Sequence, residues 1–290
     1  MYKETQEVNI STVDEPLGLF PKDVAIKPFL KWAGGKTQLL TELHKHVPNS
    51  FNKYIEPFIG GGAMFFSLNP YESIIADSNE ELVITYRQIK NAVESVIEHL
   101  ETFEHNEEFY YNIRSLNTNE LEDSFRAARL IYLNKTCFNG LYRVNKKGQF
   151  NVPYGKGNGN FLNKEVLRNA NEFLAETTII NGDYLDVLNE FAAEGDFIFL
   201  DPPYYPVGKY SDFKRYTKEF FYHDNQVQLK QEFDRLVNIG CKVVLTNSDH
   251  EVILDLYSDY KIEIIETRRM ISSNSKTRKG KDIIVVGGYD

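Results

Sequence analysis

The sequence predicts an α/β protein whose mostly parallel sheet is interrupted by an inserted segment. The first observation is an apolar run at 197–200 that ends in Asp201, Pro202, Pro203 and Tyr204. Such a run is typical of a strand buried on both faces of a parallel sheet, and proline stops it because proline cannot donate to a ladder. The other two observations are a strand, glycine turn and helix pattern at 54–66 and a loss of the sheet rhythm over roughly 80 residues after it.

The first motif along the chain is Gly-Gly-Lys-Thr at 34–37, which resembles part of a phosphate-binding P-loop. A P-loop requires a glycine five residues before the second glycine of the pair, and position 30 is Leu. The remaining interpretation is a tight glycine turn with Trp32 and Lys36 close by, followed by a helix through Leu43. Glycine lets the backbone approach a ligand, and lysine can pair with a carboxylate.

A predicted strand at 54–58 leads into the glycine turn 60–62 and then a helix. A full dinucleotide fingerprint needs a third Gly or Ala at position 65, which is Phe, so a pyrophosphate ligand is not favoured. The next predicted strand, 73–76, ends in Asp77. An acid at this place suits ribose hydroxyls, although the same residues also fit an ordinary helix N-cap.

The predicted insert is basic. Helical periodicity at 80–99 and 109–134 precedes a segment at 134–155 that interleaves Asn, Arg and Gln with aromatic residues and glycines. Nine Lys or Arg residues and a single acid lie between 126 and 168, on a chain whose net charge is -9. Arginine can read guanine through two hydrogen bonds, and aromatic rings can wedge between base steps. The pattern favours a localised polyanion site, and a solvated glycine-rich hairpin is the alternative.

The sheet resumes after the insert, with predicted strands at 178–181, 197–200 and 242–246. A final antiparallel hairpin is predicted to pair 262–266 with 283–286, around a second basic segment at 268–281 that contains no acid. These strands complete the predicted sheet.

The composition excludes several classes of protein. Cys137 and Cys241 are the only cysteines, so neither a disulfide framework nor a Cys/His metal site is expected. No run approaches the ~18 apolar residues that span a bilayer, and acids interrupt any signal-peptide pattern at the N-terminus. These features predict a cytoplasmic protein without a membrane partner.

The segment at 201–204 suits methyl transfer to a planar amine. An exocyclic amine is a poor nucleophile because its lone pair is delocalised into the ring. The Asp201 carboxylate and the Pro202 carbonyl could accept its two N–H groups, and Tyr204 could stack on the ring for about 1–3 kcal/mol. A plain strand-ending turn is the alternative.

Five segments together resemble the alpha-group DNA adenine-N6 methyltransferases, in particular the GATC-specific type within the D12 class. They read FLKWAGGK at 29–36, EPFIGGG at 56–62, FNGLYR at 138–143, FNVPYG at 150–155 and DPPY at 201–204. The resemblance covers the chain from 28 to about 286, and the order of the segments is also that of the family.

The resemblance implies a Rossmann-like S-adenosylmethionine-dependent methyltransferase sheet with an inserted, mainly helical target-recognition domain. It implies a catalytic domain at 28–90 and 177–290 and a target-recognition domain at 91–176, after an N-terminal arm at 1–27. The implied cofactor is S-adenosyl-L-methionine and the implied partner is double-stranded DNA. The implied reaction is direct in-line methylation of a flipped adenine at N6, within GATC.

The resemblance also implies the site residues. Catalysis would depend on Asp201, Pro202 and Tyr204. The cofactor would be bound by residues at strand ends and in glycine turns, namely Trp32, Lys36, Glu56, Phe58, Gly60, Gly62, Asp77, Asp183 and Asp201. The DNA would be contacted by Lys31, Phe138, Asn139, Leu141, Arg143, Asn145 and Pro153. No metal ligand is implied.

Two departures and several alternatives accompany the resemblance. The turn at 60–62 is all glycine where many relatives have one other residue, and residues 1–27 have no counterpart. Methylation of cytosine N4 or of an RNA adenine is one alternative, and a catalytically inactive DNA-binding regulator is another. The aspartate before Pro-Pro-Tyr weighs against the first, and the intact Asp-Pro-Pro-Tyr weighs against the second. A cognate restriction endonuclease is a candidate partner, while the oligomeric state is left open.

Overall fold

The structure is a computed structural model that describes residues 26–32, 34–157, 159–206, 221–268 and 279–289. Most of the predicted N-terminal arm, residues 1–25, lies outside the described residues. The same holds for 269–278, which make up most of the second basic segment.

One mixed sheet forms the centre of the fold. Its strands within the described residues are β1 (Tyr54–Glu56), β2 (Ser73–Asp77), β3 (Thr178–Asn181), β4 (Phe197–Leu200), β5 (Lys242–Ser248), β6 (Lys261–Arg268) and β7 (Lys279–Gly287). The spatial order is β3-β2-β1-β4-β5-β7-β6. The pairs among β1 to β5 are parallel, whereas β7 runs antiparallel to both β5 and β6. The predicted Rossmann-like fold class and the final antiparallel hairpin are confirmed.

Helices cover the sheet and build the segment between β2 and β3. In the described residues they are α1 (Leu40–Leu43), α2 (Ala63–Leu68), α3 (Glu80–Glu101), α4 (Glu107–Ser115), α5 (Asp123–Thr136), α6 (Lys164–Leu174), α7 (Tyr184–Phe191), α8 (His223–Asn238) and α9 (Glu251–Leu256). Short 3-10 turns add Lys36–Gln38, His44–His46, Thr118–Glu120 and Phe138–Gly140. Asparagine side chains accept a backbone N–H at the N-termini of α3, α4 and α6, which satisfies donors that a helix start leaves unpaired.

The alternation of side chains along β4 explains why this strand is apolar throughout. Phe197 and Phe199 belong to the core on one face of the sheet, which continues into α3, α5 and α6. Ile198 and Leu200 belong to the core on the other face, which is covered by α7, α8 and α9. Successive residues of a strand point to opposite faces, so a strand buried on both faces has no position for a polar side chain.

Three predicted elements are shorter or more broken than the sequence suggested. The strand predicted at 54–58 ends at Glu56, because Pro57 has no N–H for the ladder. The helix predicted at 109–134 is in fact α4 and α5. Between them, the Asn117 side chain accepts the Asn119 N–H, a local bond that competes with helix continuation. The helix predicted to run through Leu43 begins as a 3-10 turn and becomes the single turn α1.

The start of the predicted target-recognition domain falls inside α3. The backbone at Ala92 leaves the helical region, with φ -150° and ψ 42°, so α3 is kinked close to the proposed boundary between 90 and 91. The boundaries at 91 and 176 stay a prediction. In the described ranges, no helix combines the length and the apolar character that crossing a membrane requires.

Candidate active site

The candidate site lies where the direction of chain connections reverses along the sheet. β1 and β4 are neighbours, with Tyr54 opposite Phe197 and Ile55 opposite Ile198. The next strand after β1 lies on one side and the next after β4 on the other, which opens a crevice at their carboxyl ends. A cleft of about 2680 Å³ occupies this position and extends to the hairpin of the insert.

The Asp201 carboxylate follows β4 directly and is held through one of its two oxygens. Its Oδ1 accepts a bond from Thr246 Oγ1 at 2.7 Å and lies 2.6 Å from Lys36 Nζ. The Lys36 side chain is only 6% exposed and also donates to the Gly34 carbonyl at 2.5 Å. Among the described residues, Oδ2 of Asp201 has no hydrogen-bond partner. The carboxylate is therefore fixed in orientation while Oδ2 stays available as an acceptor.

Tyr204 and Lys36 lie next to each other in the cleft. The Lys36 ammonium lies 4.7 Å from the centroid of the Tyr204 ring, within the range of a cation–π contact. The same lysine therefore touches both the acid and the ring of the Asp-Pro-Pro-Tyr segment.

Glu56, at the end of β1, is a buried acid beside this group. Its Oε2 accepts a hydrogen bond of 2.6 Å from the hydroxyl of Tyr54, which is itself fully buried. Burial raises the pKa of Glu56 well above its ordinary value, and the nearby Asp201 raises it further, against a lowering by the Tyr54 bond. This environment therefore disfavours the charged form of Glu56 relative to an exposed glutamate.

Asp77, at the end of β2, is tied to the glycine turn. Its carboxylate accepts the backbone N–H of Gly60 at 3.1 Å and of Asn79 at 2.9 Å, while the Tyr86 hydroxyl donates to the Gly60 carbonyl at 3.1 Å. Burial raises the pKa of Asp77 to about 6, although backbone hydrogen bonds from Asn79, Gly60 and Ser78 lower it in part.

Trp32 packs directly on the glycine turn. A Cβ atom on Gly60, whose φ is +46°, would lie 2.8 Å from Trp32 Cδ1, and one on Gly61 would lie 2.9 Å from Trp32 Cβ. Gly62 is also left-handed, with φ +69°. The indole also stacks on Tyr142, with ring centroids 4.9 Å apart. Only glycine permits this approach of the ring to the backbone.

Phe58 and Asp183 border the same end of the cleft. The Phe58 ring lies 5.0 Å from Tyr184 and 6.2 Å from Phe221, measured between centroids. Asp183 accepts the Leu185 N–H and caps α7. An acid, a glycine turn and aromatic faces thus share one region. This donor set fits a nucleoside with a charged tail, the chemistry of the implied cofactor.

Lys31 joins the catalytic side of the cleft to the insert. Its N–H donates to Asn134 Oδ1 at 2.8 Å, and its carbonyl accepts from Asn134 Nδ2 at 2.6 Å. A Cβ on Gly140 would lie 2.7 Å from Lys31 Cδ, so the lysine side chain runs over the 3-10 turn. Phe138 in that turn is 52% exposed, and Asn139 has a left-handed φ of 57°.

The remaining predicted DNA contacts lie on a hairpin that follows this turn. Arg143 donates to Asn151 through Nε at 2.7 Å and through Nη2 at 3.3 Å, which orients the guanidinium. Asn145 Oδ1 accepts the N–H groups of Lys147 and Gln149, and the Pro153 carbonyl accepts the Phe138 N–H. Leu141 follows the turn and is partly exposed. The structure thus places the seven predicted DNA-contact residues on neighbouring segments, and their roles stay predictions.

The insert carries less unpaired positive charge than the count of Lys and Arg between 126 and 168 suggested. Arg126 pairs with Glu81, with 2.6 Å between Nη2 and Oε1. Two more cations pair with acids of α3, namely Arg168 with Glu94 and Lys164 with Glu101. Arg129 is buried and donates to backbone carbonyls. The other five cations between 126 and 168 also have no ion pair in the described part of the chain: Lys135, Arg143, Lys146, Lys147 and Lys156.

Sequence reasoning missed the residues that hold the site in place. Thr246 fixes Asp201, while Gln226 and Asn247 bond to the loop that follows it. The Thr-Asn-Ser run at the end of β5 was a usable signal for Thr246 and Asn247. β5 is the parallel neighbour of β4, so these polar residues lie at the same edge of the sheet as Asp201. Gln226 carried no such signal, because nothing in the sequence of α8 shows which glutamine faces inward.

The order of the strands and the Asp-Pro-Pro-Tyr segment at the reversal point define a Rossmann-like methyltransferase. The chain belongs to the D12 class N6 adenine-specific DNA methyltransferase family, whose profile matches residues 32–271. Members of this family use S-adenosylmethionine in general.

Curated relatives match nearly the whole chain. The Type II methyltransferase M.MjaIII of Methanocaldococcus jannaschii is 40% identical over 277 residues, covering 88% of this chain and 96% of the relative. The Type II methyltransferase M1.LlaDCHI of Lactococcus lactis subsp. cremoris is also 40% identical, covering 92% of this chain and 96% of the relative. The DNA adenine methylase of Escherichia coli K12 is 32% identical, covering 88% and 93%.

Proposed function

We propose that this chain transfers a methyl group from S-adenosylmethionine to N6 of adenine within GATC in double-stranded DNA. The observation that carries the proposal is the Asp201 carboxylate, which is anchored through Oδ1 by Lys36 and Thr246 and whose Oδ2 has no hydrogen-bond partner among the described residues. Family membership supports the adenine-N6 chemistry.

The residues of the Asp-Pro-Pro-Tyr segment prepare the amine. Oδ2 of Asp201 and the Pro202 carbonyl accept its two N–H groups, which localises the nitrogen lone pair and turns it away from ring conjugation. The Tyr204 ring stacks on the base, and such stacking contributes about 1–3 kcal/mol per base. S-Adenosylmethionine, when bound, supplies a methyl group on a sulfonium centre. The protein therefore contributes orientation and electrostatics rather than a covalent group.

The cofactor-binding residues are proposed from their position at one end of the cleft. Asp77 suits ribose hydroxyls, and Gly60 and Gly62 let the backbone come close. The other residues proposed to border the cofactor are Trp32, Lys36, Glu56, Phe58, Asp183 and Asp201.

DNA binding is proposed for the surface that Lys31, the 3-10 turn and the hairpin form together. The similarity of 138–143 and 150–155 to GATC-specific enzymes supports the target site, with Arg143 as the reader of a guanine. Asp201 lies at the strand ends, where a base inside a duplex cannot reach it, so the adenine must first be flipped out of the helix. The two type II relatives favour a cognate restriction endonuclease as a partner in the same system.

The test is transfer of a tritiated methyl group to duplexes that contain GATC, a singly substituted site or no such site, followed by nucleoside analysis. We expect N6-methyladenine from the GATC duplex alone. Asp201→Ala and Asp201→Asn should both abolish transfer, and the second variant keeps an oxygen for Lys36 and Thr246 to bond. Methylcytosine as the product would refute the adenine assignment. Retention of activity within tenfold by both variants would refute the role of Asp201.

A further inference from the structure

The loop that carries Tyr204 is tied to the body of the protein by two buried amide side chains. Gln226 Nε2 donates to the Pro203 carbonyl at 3.0 Å, and Asn247 Oδ1 accepts the Tyr205 N–H at 3.1 Å. The two amides also bond to each other, from Asn247 Nδ2 to Gln226 Oε1 at 3.0 Å. Both side chains are fully buried. α8 and β5, which supply them, are separate elements of the catalytic sheet region.

The hydrogen bonds admit only one orientation of each amide. If the Gln226 amide were reversed, its oxygen would face the Pro203 carbonyl and its nitrogen would face the Asn247 nitrogen. If the Asn247 amide were reversed, its nitrogen would face the N–H of Tyr205. Each amide therefore fixes the direction of the other, since donors must meet acceptors at both contacts.

These contacts determine the backbone at Tyr204 from both sides. The Pro203 carbonyl belongs to the peptide unit before Tyr204, and the Tyr205 N–H belongs to the unit after it. Holding both units fixes the two dihedral angles between them and hence the direction of the Tyr204 Cα–Cβ bond. Ser248 Oγ extends the attachment by donating to the Tyr205 carbonyl at 2.9 Å.

We propose that Gln226 and Asn247 are positioning residues that aim the Tyr204 ring at the flipped adenine. The inference rests on the proposed function, because it assigns Tyr204 the stacking face. Asp201 is anchored separately, by Lys36 and Thr246. The backbone at Tyr204 and the direction of the acid are thus fixed by different residues, while Lys36 contacts both side chains. If the two side chains only maintained the fold, apolar residues would serve as well as amides. Replacing both partners of a buried hydrogen bond by apolar groups of similar shape is close to neutral for stability.

The test compares Gln226→Met, Asn247→Asp and the double variant with wild type. Asn247→Asp keeps the acceptor for the Tyr205 N–H but loses the donor to Gln226. Gln231→Met is the matched control, because Gln231 is exposed on the same helix. The readouts are the single-turnover methylation rate, the affinity for S-adenosylmethionine, and the fluorescence of 2-aminopurine placed at the target adenine.

We expect each single variant to slow methyl transfer about tenfold, the factor that corresponds to the net loss of roughly one to two hydrogen bonds. The cofactor affinity should change less than twofold because the contacts of Asp201 are unaltered. The flipped 2-aminopurine should fluoresce more strongly, because a misdirected ring no longer stacks on it and quenches it. The double variant should be no slower than the slower single variant, since both changes break one chain of hydrogen bonds.

Two outcomes would overturn the inference but not the proposed function. In the first, the wild type is active and both single variants stay within twofold of its rate. In the second, the variants lose rate, cofactor affinity and thermal midpoint to the same extent. The second outcome would mean that the pair only maintains the fold. If Asn247→Asp does not fold, Gln226→Met carries the test by the same readouts. A folded wild type that methylates no adenine duplex would refute the proposed function, and the inference with it.

Discussion

Replacing Thr246 by valine removes one hydroxyl from the anchor of Asp201 and leaves the shape of the side chain nearly unchanged. Thr246 is fully buried in β5, and its Oγ1 lies 2.7 Å from Asp201 Oδ1. A hydrogen bond to a charged group contributes about 1.5–3 kcal/mol. Lys36 still holds the same oxygen at 2.6 Å, and the Asp201 side chain is 20% exposed, so water can replace part of the loss. We therefore expect the lower end of the range, about a tenfold slower methyl transfer.

The assay is single-turnover methylation of a GATC duplex at saturating cofactor, with the dissociation constant of S-adenosylmethionine measured separately. Thr246→Ser is the matched control, because it keeps the hydroxyl and removes only the methyl group. We expect the serine variant to stay within about threefold of wild type, a change of less than 1 kcal/mol. The rate of the valine variant should fall without a comparable change in cofactor affinity, since the hydroxyl acts on the orientation of Asp201.

Two results would refute this reasoning. A valine variant as fast as wild type would show that Lys36 alone orients the carboxylate. A serine variant as slow as the valine variant would show that the packing of the Thr246 methyl group matters and that its hydroxyl does not.

Three further predictions follow from single contacts. Arg143→Ala should relax specificity at one G·C pair of GATC by about 1–3 kcal/mol, whereas Lys147→Ala should slow all duplexes alike; an equal slowing of every duplex by Arg143→Ala would make Arg143 a backbone contact. The affinity for S-adenosylmethionine should rise as the pH rises through about 6, because burial raises the pKa of Asp77 to that value and the carboxylate is a stronger acceptor for ribose hydroxyls than the neutral acid. The ligand-free protein should lose stability over the same rise, since a carboxyl with a raised pKa favours the folded state only while protonated; a pH-independent affinity would contradict the role of Asp77. Gly60→Ala should weaken cofactor binding about tenfold or more, since φ is +46° and the new Cβ would lie 2.8 Å from the sole tryptophan. The control is Gly157→Ala, where a Cβ meets nothing within 4 Å, and equal affinities of the two variants would exclude the turn from the cofactor site.

The sequence was sufficient to predict the strands and the acids at their ends. An apolar run such as Phe197–Leu200 has few alternatives, because burial on both faces of a sheet leaves no polar position. Asp77 is the last residue of β2 and Asp201 follows β4 directly, so predicting each strand also placed its acid at the carboxyl edge. The strand that begins at Tyr54 was predicted to be two residues too long, because it ends before Pro57, which has no N–H for the ladder.

The contacts between distant parts of the chain could not be predicted in this way. Lys36 was recognised as a partner for a carboxylate, but the sequence did not show which carboxylate. The pairing of Asn134 with the backbone of Lys31 likewise depends on how the insert lies against the catalytic sheet. Gln226 differs from the exposed Gln231 only in the face of α8 that it occupies. Such positions follow from tertiary packing, which a local pattern of hydrophobicity does not contain.

The positive charge of the insert was also predicted incompletely from the local sequence, which overestimated it. A window from 126 to 168 counts cations as though all of them faced solvent, yet α3 precedes that window and supplies Glu81, Glu94 and Glu101 to three of them. Exposed ion pairs add little stability, but they cancel charge where they form. Apart from the buried Arg129, the cations without such a pair among the described residues lie in the hairpin or close to it, beside the 3-10 turn that carries Phe138. Within the described residues, these cations therefore lie close to the candidate base-reading side chains. Phosphate attraction and base reading would then act at the same surface. Because phosphate contacts carry no sequence information, added salt should weaken binding to all duplexes and leave the preference for GATC intact.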